Sequence, residues 1–360
     1  MNKDEQSSTE HGEHNRYGGL TLVPLPAFID LAMAVKQLIE KNEVGTPVDI
    51  VIPKFPLRAS GEPFIQLGKE HVGGHDCVII ASGPGTYEVL GQLQFTLGYL
   101  VGRRASRIAL ITGYLPHARS DKDEGSLEFA LASHVIHLLL SAAYGKLDRI
   151  IAVDLHAPQV VMAAPLGIIT EVCLGRRILS RAISEARRIH PERRLCLLLP
   201  DDGADKKYQP IIEQVNRELG IDLPVVCGQK RRRSSRQSQL RGLNGDVGAL
   251  ANSLVIGFDD EIATGGTNIQ TAKFVKEKYG ASIYWAVAMH GVLCGEAGQL
   301  LGAPDSPIER IFVSETIPQS YRPELTPLIM SERLEVIPWA EDLAHIIFYH
   351  HWDTSIRERR

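Results

Sequence analysis

The sequence lacks the features of a disulfide-stapled, zinc-binding or membrane-embedded protein. Its five cysteines are far apart and form no C-x-x-C pair, which argues against a zinc module or a disulfide framework. No segment reaches the ~18 to 20 uncharged apolar residues of a membrane helix. Residues 1–17 are polar and contain no apolar signal-peptide stretch. These absences predict a cytoplasmic protein without a membrane partner, and residues 1–17 as a disordered tail.

A strong excess of charge is also missing. The formal net charge is −4, which excludes a surface built as a whole to attract nucleic acid, so a nucleic-acid partner is not expected. Hydrophobic residues make up 44% and charged residues 23% of the 360 residues, as in ordinary globular proteins. This length suits two domains of about 150 residues each.

Short, continuously apolar runs recur along the chain and are separated by segments long enough for a helix. Continuous rather than alternating apolar character is typical of buried parallel strands. The predicted strands are 77–82, 107–114, 149–155, 195–200, 223–228, 253–258, 282–289 and 310–315. Segments 125–145 and 268–281 have helical apolar spacing and close with a helix-ending glycine, Gly145 and Gly280. Segment 175–194 is a polar, basic helical stretch. The order of elements predicts an α/β protein with mainly parallel sheets flanked by helices.

The alternation of strands and helices continues on both sides of about residue 165. We therefore predict two tandem Rossmann-like domains, 18–165 and 166–348, followed by a C-terminal tail, 349–360. The basic, Ser- and Gln-rich block 229–246 has almost no large apolar residues, and it is predicted to be a mobile loop.

The stretch "LVIGFDDEIATGGTNIQTA" (254–272) joins an apolar strand to two carboxylates and a Thr-Gly-Gly-Thr turn before a helix. Backbone amides and hydroxyls of residues 264–267 can converge on an anion at the helix N-terminus. Asp259 and Asp260 would repel a bare phosphate, but they can accept hydrogen bonds from sugar hydroxyls or hold Mg²⁺. A sugar phosphate would supply both the phosphate for the turn and the hydroxyls for the two carboxylates. The alternative is a plain helix N-cap by Thr264 or Thr267.

A second pair of polar residues follows another predicted strand. In "VDLHAPQV" (153–160), Asp154 and His156 can both reach a metal carried by nucleotide phosphates. The alternative is a strand-end helix cap beside a satisfied histidine.

Taken together, these motifs resemble the ribose-phosphate diphosphokinase (phosphoribosyl pyrophosphate synthetase) family over residues 50–348. "VIGFDDEIATGGT" is similar to the 5-phosphoribosyl-1-diphosphate motif that this family shares with type I phosphoribosyltransferases, whereas the Asp-x-His pair is similar to a signature that simple phosphoribosyltransferases lack. The resemblance implies two phosphoribosyltransferase-like domains that transfer diphosphate from ATP to the 1-hydroxyl of ribose 5-phosphate. It also implies a Mg²⁺ cofactor and a homo-oligomer, such as a dimer or a hexamer.

The resemblance further assigns residue roles. The ribose 5-phosphate site comprises Asp259, Asp260, Thr264, Gly265, Gly266 and Thr267. The ATP site comprises Glu62, Arg119, Asp121, Lys122 and His156, with Asp154 and His156 on the metal. The diphosphate loop in "PDDGADKKY" comprises Asp201, Asp202, Gly203 and Lys206. Lys230 and Arg232 are the catalytic cations that stabilise the transferred group.

Each weaker stretch has a plainer interpretation. The stretch 113–125 can be a solvated charged loop, 200–208 an ordinary β-to-α turn, and "QKRRR" a solvated basic loop or a nucleic-acid patch.

The sequence departs from the family pattern at three places. The adenine-binding flag, Phe-x-Asp-Gly-Glu in the family, here reads Arg58 to Glu62 as "RASGE", without the aromatic residue and the acid. Asp123, Glu124, Gly125 and Leu127 stand where the family tends to carry cations, and Ala263 replaces an acid before Thr-Gly-Gly. Three alternatives therefore stay open: a diphosphokinase with another donor, a phosphoribosyltransferase, and a non-catalytic regulatory paralogue.

Overall fold

The computed structural model describes residues 18–42, 45–68, 71–122, 129–234, 237–319 and 322–356 of the chain. These residues form two compact units. Unit 1 comprises the described residues of Met1–Val172 and Pro338–Arg360, and unit 2 is Cys173–Ile337. Each unit has its own main sheet and its own helices.

Unit 1 is built on a six-stranded parallel sheet with the order β2-β1-β5-β6-β7-β8. A separate antiparallel pair joins β3 to β4. The strands are β1 (Leu20–Pro24), β2 (Val48–Ile50), β3 (Pro53–Lys54), β4 (Gln66–Leu67), β5 (Asp76–Ala81), β6 (Arg107–Thr112), β7 (Leu147–Val153) and β8 (Ile169–Val172). Every residue of β5 and β6 is buried, as expected for strands in the centre of a parallel sheet.

Helices connect the parallel strands of unit 1. They include α1 (Ile29–Glu40), α2 (Tyr87–Gly102) and α3 (Leu131–Ala142). The helix α2 begins at Thr86, whose side chain accepts a hydrogen bond from the backbone N–H of Val89, an ordinary N-cap. Because a parallel connection must return to the same end of the sheet, the loops that follow β5, β6 and β7 share its carboxyl edge.

Unit 2 is built on a seven-stranded sheet with the order β11-β10-β9-β12-β13-β14-β15. All of its pairs are parallel except β10 with β11. The strands are β9 (Leu195–Leu199), β10 (Val225–Ser234), β11 (Gln237–Gly245), β12 (Leu254–Ile262), β13 (Ile283–Gly291), β14 (Arg310–Ser314) and β15 (Leu334–Ile337).

The helices of unit 2 pack on this sheet through apolar faces. They are α4 (Gly175–Ile189), α5 (Asp202–Leu219), α6 (Gly266–Tyr279), α7 (Ala297–Gly302) and α8 (Thr326–Met330). In α4, buried residues that include Ile178, Ala182 and Ala186 recur at helical spacing between the arginines. The helix contacts β12, β13 and β14. In α6 the buried Ala272 and Val275 join the core that covers β12 and β13.

The predicted α/β class is confirmed, because each unit has a mainly parallel sheet flanked by helices. Each of the eight apolar runs overlaps a strand of the structure. Across the described residues, no helix combines the length and the apolar character that crossing a bilayer requires.

The block 229–246 differs from the predicted mobile loop. Its described residues continue β10 and form β11, an antiparallel hairpin at the edge of the sheet. The prediction rested on the shortage of large apolar residues, but an edge hairpin is held by backbone pairing and needs no covered apolar face. Register shifts between Gln229 and Lys230, and between Arg232 and Ser234, mark irregular pairing within it.

The C-terminal segment also differs from the predicted division. Unit 2 begins at Cys173 rather than at residue 166, and the chain returns to unit 1 at Pro338. The last helix, α9 (Ala340–His351), packs against α1 and ends inside the proposed tail 349–360. Its final turn carries His350 and His351, both only 2% exposed. These histidines look like surface residues in the sequence because their buried partners lie far away along the chain. Residues 1–17, also predicted as a tail, lie outside the described residues, as do 357–360.

Candidate active site

The last residues of β12 carry the two aspartates. Asp259 and Asp260 are half-buried and lie just before the strand ends at Ile262. The backbone N–H of Asp260 donates to Oδ1 of Asp259 at 2.9 Å. Both residues therefore lie at the carboxyl edge of the sheet, beside the turn that leads to α6.

The turn after β12 brings backbone amides to the start of α6. Gly265 occupies the N-cap position with φ +78°, in the left-handed region that favours glycine. A Cβ at Gly265 would lie 2.7 Å from Cγ of Leu301, so space as well as conformation requires glycine. Within the described residues, no side chain caps this helix, which is not what the alternative of a Thr264 or Thr267 N-cap expects. Thr264 and Thr267 are both exposed, and Gly266 is half-buried.

The loop after β13 holds this turn in place. The backbone N–H of Leu293 donates to the carbonyl of Ile262 at 2.9 Å, and that of Cys294 donates to the carbonyl of Ala263 at 3.0 Å. The turn is therefore tied to two strands, which limits its movement before α6 begins.

A small cavity of about 30 Å³ lies beside the turn. Its lining comes from the carboxyl ends of β9 and β12, the first turns of α6, and one side chain of β13. The residues are Leu198, Leu199, Pro200, Gly257, Phe258, Asp259, Thr267, Asn268, Thr271 and Tyr284. Gly257, Asn268, Thr271 and Tyr284 are absent from the sequence-based site. The Thr267–Thr271 spacing, one helical turn, is a signal that could have indicated Thr271, whereas Tyr284 comes from another strand and has no local signal.

The loop after β9 has a different chemistry. Asp201 is the N-cap of α5, and its Oδ1 accepts from the backbone N–H groups of Gly203 and Ala204, both at 3.0 Å. Asp202 is the first residue of the helix and is exposed. The arrangement is that of the ordinary β-to-α turn, since the amides that would meet a diphosphate already have a carboxylate partner. Lys206 lies one turn further into α5.

The two predicted catalytic cations lie on the edge hairpin of unit 2. In the backbone register, Lys230 pairs with Leu240 and Arg232 with Ser238. The hairpin therefore gives both residues a defined place on β10, next to β9.

In unit 1, Asp154 and His156 follow β7. Asp154 is only 1% exposed and has φ +42°, an uncommon conformation for a residue other than glycine that aspartate tolerates better than most. Its backbone N–H donates to the carbonyl of Val172 at 2.8 Å, and His156 is half-buried. A buried aspartate and a half-buried histidine, two positions apart, therefore lie at the carboxyl edge of the sheet.

The stretch after β6 meets the same edge. Nε2 of Gln159, in the short helix Pro158–Ala163 just beyond His156, donates to Oδ2 of Asp121 at 2.8 Å. Arg119 and Lys122 beside Asp121 are exposed. The structure thus connects the predicted nucleotide stretch to the Asp154–His156 turn. Asp123, Glu124, Gly125 and Leu127 lie outside the described residues.

Glu62 lies on the segment that joins β3 to β4. Its carboxylate accepts from Oγ of Ser60 at 2.8 Å. The guanidinium of Arg58, which stands where the family has its aromatic residue, lies 4.6 Å from the ring centroid of Phe64. An aromatic ring is therefore present in this segment, but it is six positions further along the chain and already faces a cation.

The chain is similar in sequence to curated proteins named ribose-phosphate pyrophosphokinase. The chain is 31% identical over 271 residues to a ribose-phosphate pyrophosphokinase of Buchnera aphidicola, covering 75% of this chain and 79% of the relative. It is 29% identical over 324 residues to the enzyme of that name from Rhodopirellula baltica, covering 87% and 90%. No family model matches the chain.

One solved structure supports the fold. The crystal structure of phosphoribosylpyrophosphate synthetase from Mycobacterium smegmatis superposes with a TM-score of 0.74 and 24% identity, covering 93% of this chain and 99% of that one. The resemblance suggested by the motifs is thus confirmed: the chain belongs to the ribose-phosphate pyrophosphokinase family.

Proposed function

We propose that the protein transfers the diphosphoryl group of ATP to the 1-hydroxyl of ribose 5-phosphate, giving 5-phosphoribosyl 1-diphosphate and AMP. The observation that carries the proposal is the junction of β12 with α6. At this junction, two half-buried carboxylates lie next to a glycine turn that has no side-chain cap. The carboxylates suit the hydroxyls of a sugar, and the turn suits its phosphate.

The acceptor sugar binds to unit 2 in this proposal. The amides and hydroxyls of Thr264 to Thr267 receive the 5-phosphate at the positive end of α6. Asp259 and Asp260 accept hydrogen bonds from the sugar hydroxyls. The fixed turn, tied to β13 through Leu293 and Cys294, orients the 1-hydroxyl without a large loss of freedom at the moment of reaction.

The reaction is a displacement at the β-phosphorus. The oxygen of the 1-hydroxyl forms a bond to that phosphorus and loses its proton, while the bond to the bridging α–β oxygen breaks and its electron pair leaves with AMP. Negative charge spreads over the transferred group during this step. Lys230 and Arg232 on the edge hairpin are the cations assigned to stabilise it.

The donor phosphates are assigned to unit 1, and the residues there fit Mg²⁺ in part. Mg²⁺ in nucleotide sites takes one or two protein ligands and fills its remaining positions with phosphate oxygens and water. Among the described residues no three acidic, histidine or cysteine side chains form a complete metal site. The buried Asp154 and the neighbouring His156 suit such a partial shell. When bound, the ion would neutralise the donor phosphates and help to orient them.

A second candidate, a diphosphokinase with another nucleotide donor, is favoured by one observation. The position of the family's stacking aromatic residue is occupied by Arg58, whose guanidinium covers the ring of Phe64. An exposed guanidinium and the remaining acid, Glu62, present different hydrogen-bonding groups to a base from those of the family pattern.

One assay separates these candidates from a phosphoribosyltransferase and from a non-catalytic paralogue. Purified protein is incubated with Mg²⁺, ribose 5-phosphate and each of ATP, GTP, CTP and UTP in turn, and nucleoside monophosphate release is measured. We expect AMP release that depends on ribose 5-phosphate and that is lost in Lys230→Ala. Lys278→Ala, at the far end of α6 beside Phe274, is the matched control and should keep the activity.

Other outcomes have definite meanings. Release from another nucleotide alone supports the second candidate. Consumption of 5-phosphoribosyl 1-diphosphate with a base supports a phosphoribosyltransferase. Binding of ribose 5-phosphate without turnover supports a regulatory paralogue, and the proposal fails altogether if ribose 5-phosphate neither binds nor reacts.

Self-association and a cytoplasmic location are further proposals. The five cysteines are all free, and Cys77, Cys196 and Cys227 are buried, which suits a reducing compartment. A homo-oligomer is implied by the family resemblance. Sedimentation velocity of the full chain tests it, and a mass of one chain at all concentrations would overturn it.

A further inference from the structure

A phenol group from β13 reaches the cavity beside Asp259. Tyr284 pairs with Val255 in the sheet, so its side chain leaves the same face as those of Val255, Gly257 and Asp259. A Cβ placed on Gly257 would lie 2.6 Å from Cζ of Tyr284 and closer still to its hydroxyl oxygen. Only glycine at this position leaves room for the hydroxyl of Tyr284.

The ring and the hydroxyl of Tyr284 have different surroundings. The residue is 2% exposed and belongs to the apolar core of unit 2, with Val255, Ala286 and Val275. Tyr284 also lines the cavity together with Asp259, Thr267 and Thr271. A buried phenol O–H usually has a hydrogen-bond partner. The polar residues that line this cavity with Tyr284 are Asp259, Thr267, Asn268 and Thr271.

The hydroxyl stays protonated at any ordinary pH. Burial raises the pKa of Tyr284 well above its usual value, and the negative charge of Asp259 raises it further. The group is therefore a permanent hydrogen-bond donor close to a carboxylate. The cavity volume of about 30 Å³ is also sufficient for one bridging water molecule.

We propose that Tyr284 is a positioning residue of the sugar site, whose O–H orients the Asp259 carboxylate toward the ribose hydroxyls, directly or through one bridging water. The oxygen of the same hydroxyl can accept from Thr267 or Thr271, which joins the tip of β12 to the first turns of α6. Gly257 is the partner that makes room for it. This inference rests on the proposed binding of ribose 5-phosphate to unit 2.

The test removes the hydroxyl and keeps the ring. Tyr284→Phe is compared with the wild type and with Tyr279→Phe, a control at the other end of α6 whose ring packs on Phe274 at 5.5 Å. Binding is measured by calorimetry on the full chain with two ligands. One is ribose 5-phosphate, and the other is tetrahydrofurfuryl phosphate, which keeps the ring and the phosphate but has no ring hydroxyls.

We expect Tyr284→Phe to weaken ribose 5-phosphate binding by about tenfold, the effect of one lost hydrogen bond to a charged group. Binding of tetrahydrofurfuryl phosphate should be unchanged, because the phosphate turn is intact. In the assay, KM for ribose 5-phosphate should rise while kcat and KM for the nucleotide stay within about twofold. Tyr279→Phe should match the wild type in every measurement.

Two results would overturn the role of Tyr284. One is unchanged ribose 5-phosphate binding, and the other is an equal loss for both ligands, which would mean that the substitution acts on the turn or on the fold. Thermal melting of both variants monitors folding directly. Failure of the wild type to bind ribose 5-phosphate would instead overturn the proposed function, so the two failures are distinguishable.

Discussion

Substitution of the buried Asp76 should strongly destabilise unit 1. The carboxylate is completely buried and accepts from Nε and Nη2 of Arg107 at 3.1 and 2.6 Å, and it lies 2.8 Å from Nδ1 of His351. Arg107 also donates to the carbonyls of His350 and His351 at 2.8 and 3.2 Å. This cluster fastens the end of α9 to the amino ends of β5 and β6.

The size of the effect follows from burial. Asp76→Asn keeps the shape but removes the negative charge, so the Arg107 side chain, 3% exposed, loses the fully buried counter-charge of Asp76. Removing one partner of a buried ion pair costs about 3 to 5 kcal/mol. Arg107 keeps a contact with Asp353 at 2.7 Å, whose side chain is 48% exposed. That remaining contact places the expected loss near the lower end, at about 3 kcal/mol.

Hydrogen exchange of the α9 amides in the full chain measures this loss within unit 1. Asp353→Asn is the matched control, because it removes an exposed partner of the same guanidinium and should cost about 1 kcal/mol or less. The reasoning is refuted if the two variants lose equal protection, or if Asp76→Asn retains the protection of the wild type.

Three further predictions concern other residues. Burial, and then Arg107, lower the pKa of His350 to about 4. Between pH ~6.5 and 4 the unfolded chain therefore binds more protons than the folded one, so lowering the pH through this window should reduce the free energy of unfolding by up to about 3 kcal/mol. His350→Asn should flatten the pH dependence of the melting temperature. Gly265→Ala, strained at φ +78° and against Leu301, should lower the melting temperature, while Gly266→Ala, with its nearest contact at 3.7 Å, should leave it nearly unchanged. Asp201→Ala removes the N-cap of α5 and should lower the free energy of unfolding by about 1 kcal/mol, as measured by urea unfolding. An unchanged urea midpoint would contradict this capping role.

The strands could be predicted from the sequence because burial in a parallel sheet leaves a local signature. Runs such as 77–82 and 107–114 are apolar at every position, and the structure buries β5 and β6 along their whole length. The part of the edge hairpin beyond Gly228, which is the rest of β10 together with β11, leaves no such signature. Its stability comes from backbone pairing with neighbours, which composition does not reveal.

The site could be predicted in the same uneven way. Asp259, Asp260 and the Thr-Gly-Gly-Thr turn lie within one short stretch, 259–267, so the sequence alone places them at one strand tip. The contact of Gly257 with Tyr284 joins residues on two strands and depends on the sheet register. Likewise, the buried place of His351 depends on Asp76, 275 positions away. Long-range contacts of this kind have no periodic signal in a single sequence.

The two β-to-α turns of unit 2 show why similar local structure leads to different chemistry. At the start of α5, the carboxylate of Asp201 occupies the first amides, so an anion would have to displace a group that is already bound. At the start of α6, glycine takes the N-cap position and supplies no side-chain acceptor. A phosphate at α6 therefore gains hydrogen bonds without displacing a protein carboxylate, whereas a diphosphate at α5 must compete with one. Tight binding in the diphosphate loop would thus require a rearrangement of Asp201, and the phosphate turn of α6 would not require the equivalent change.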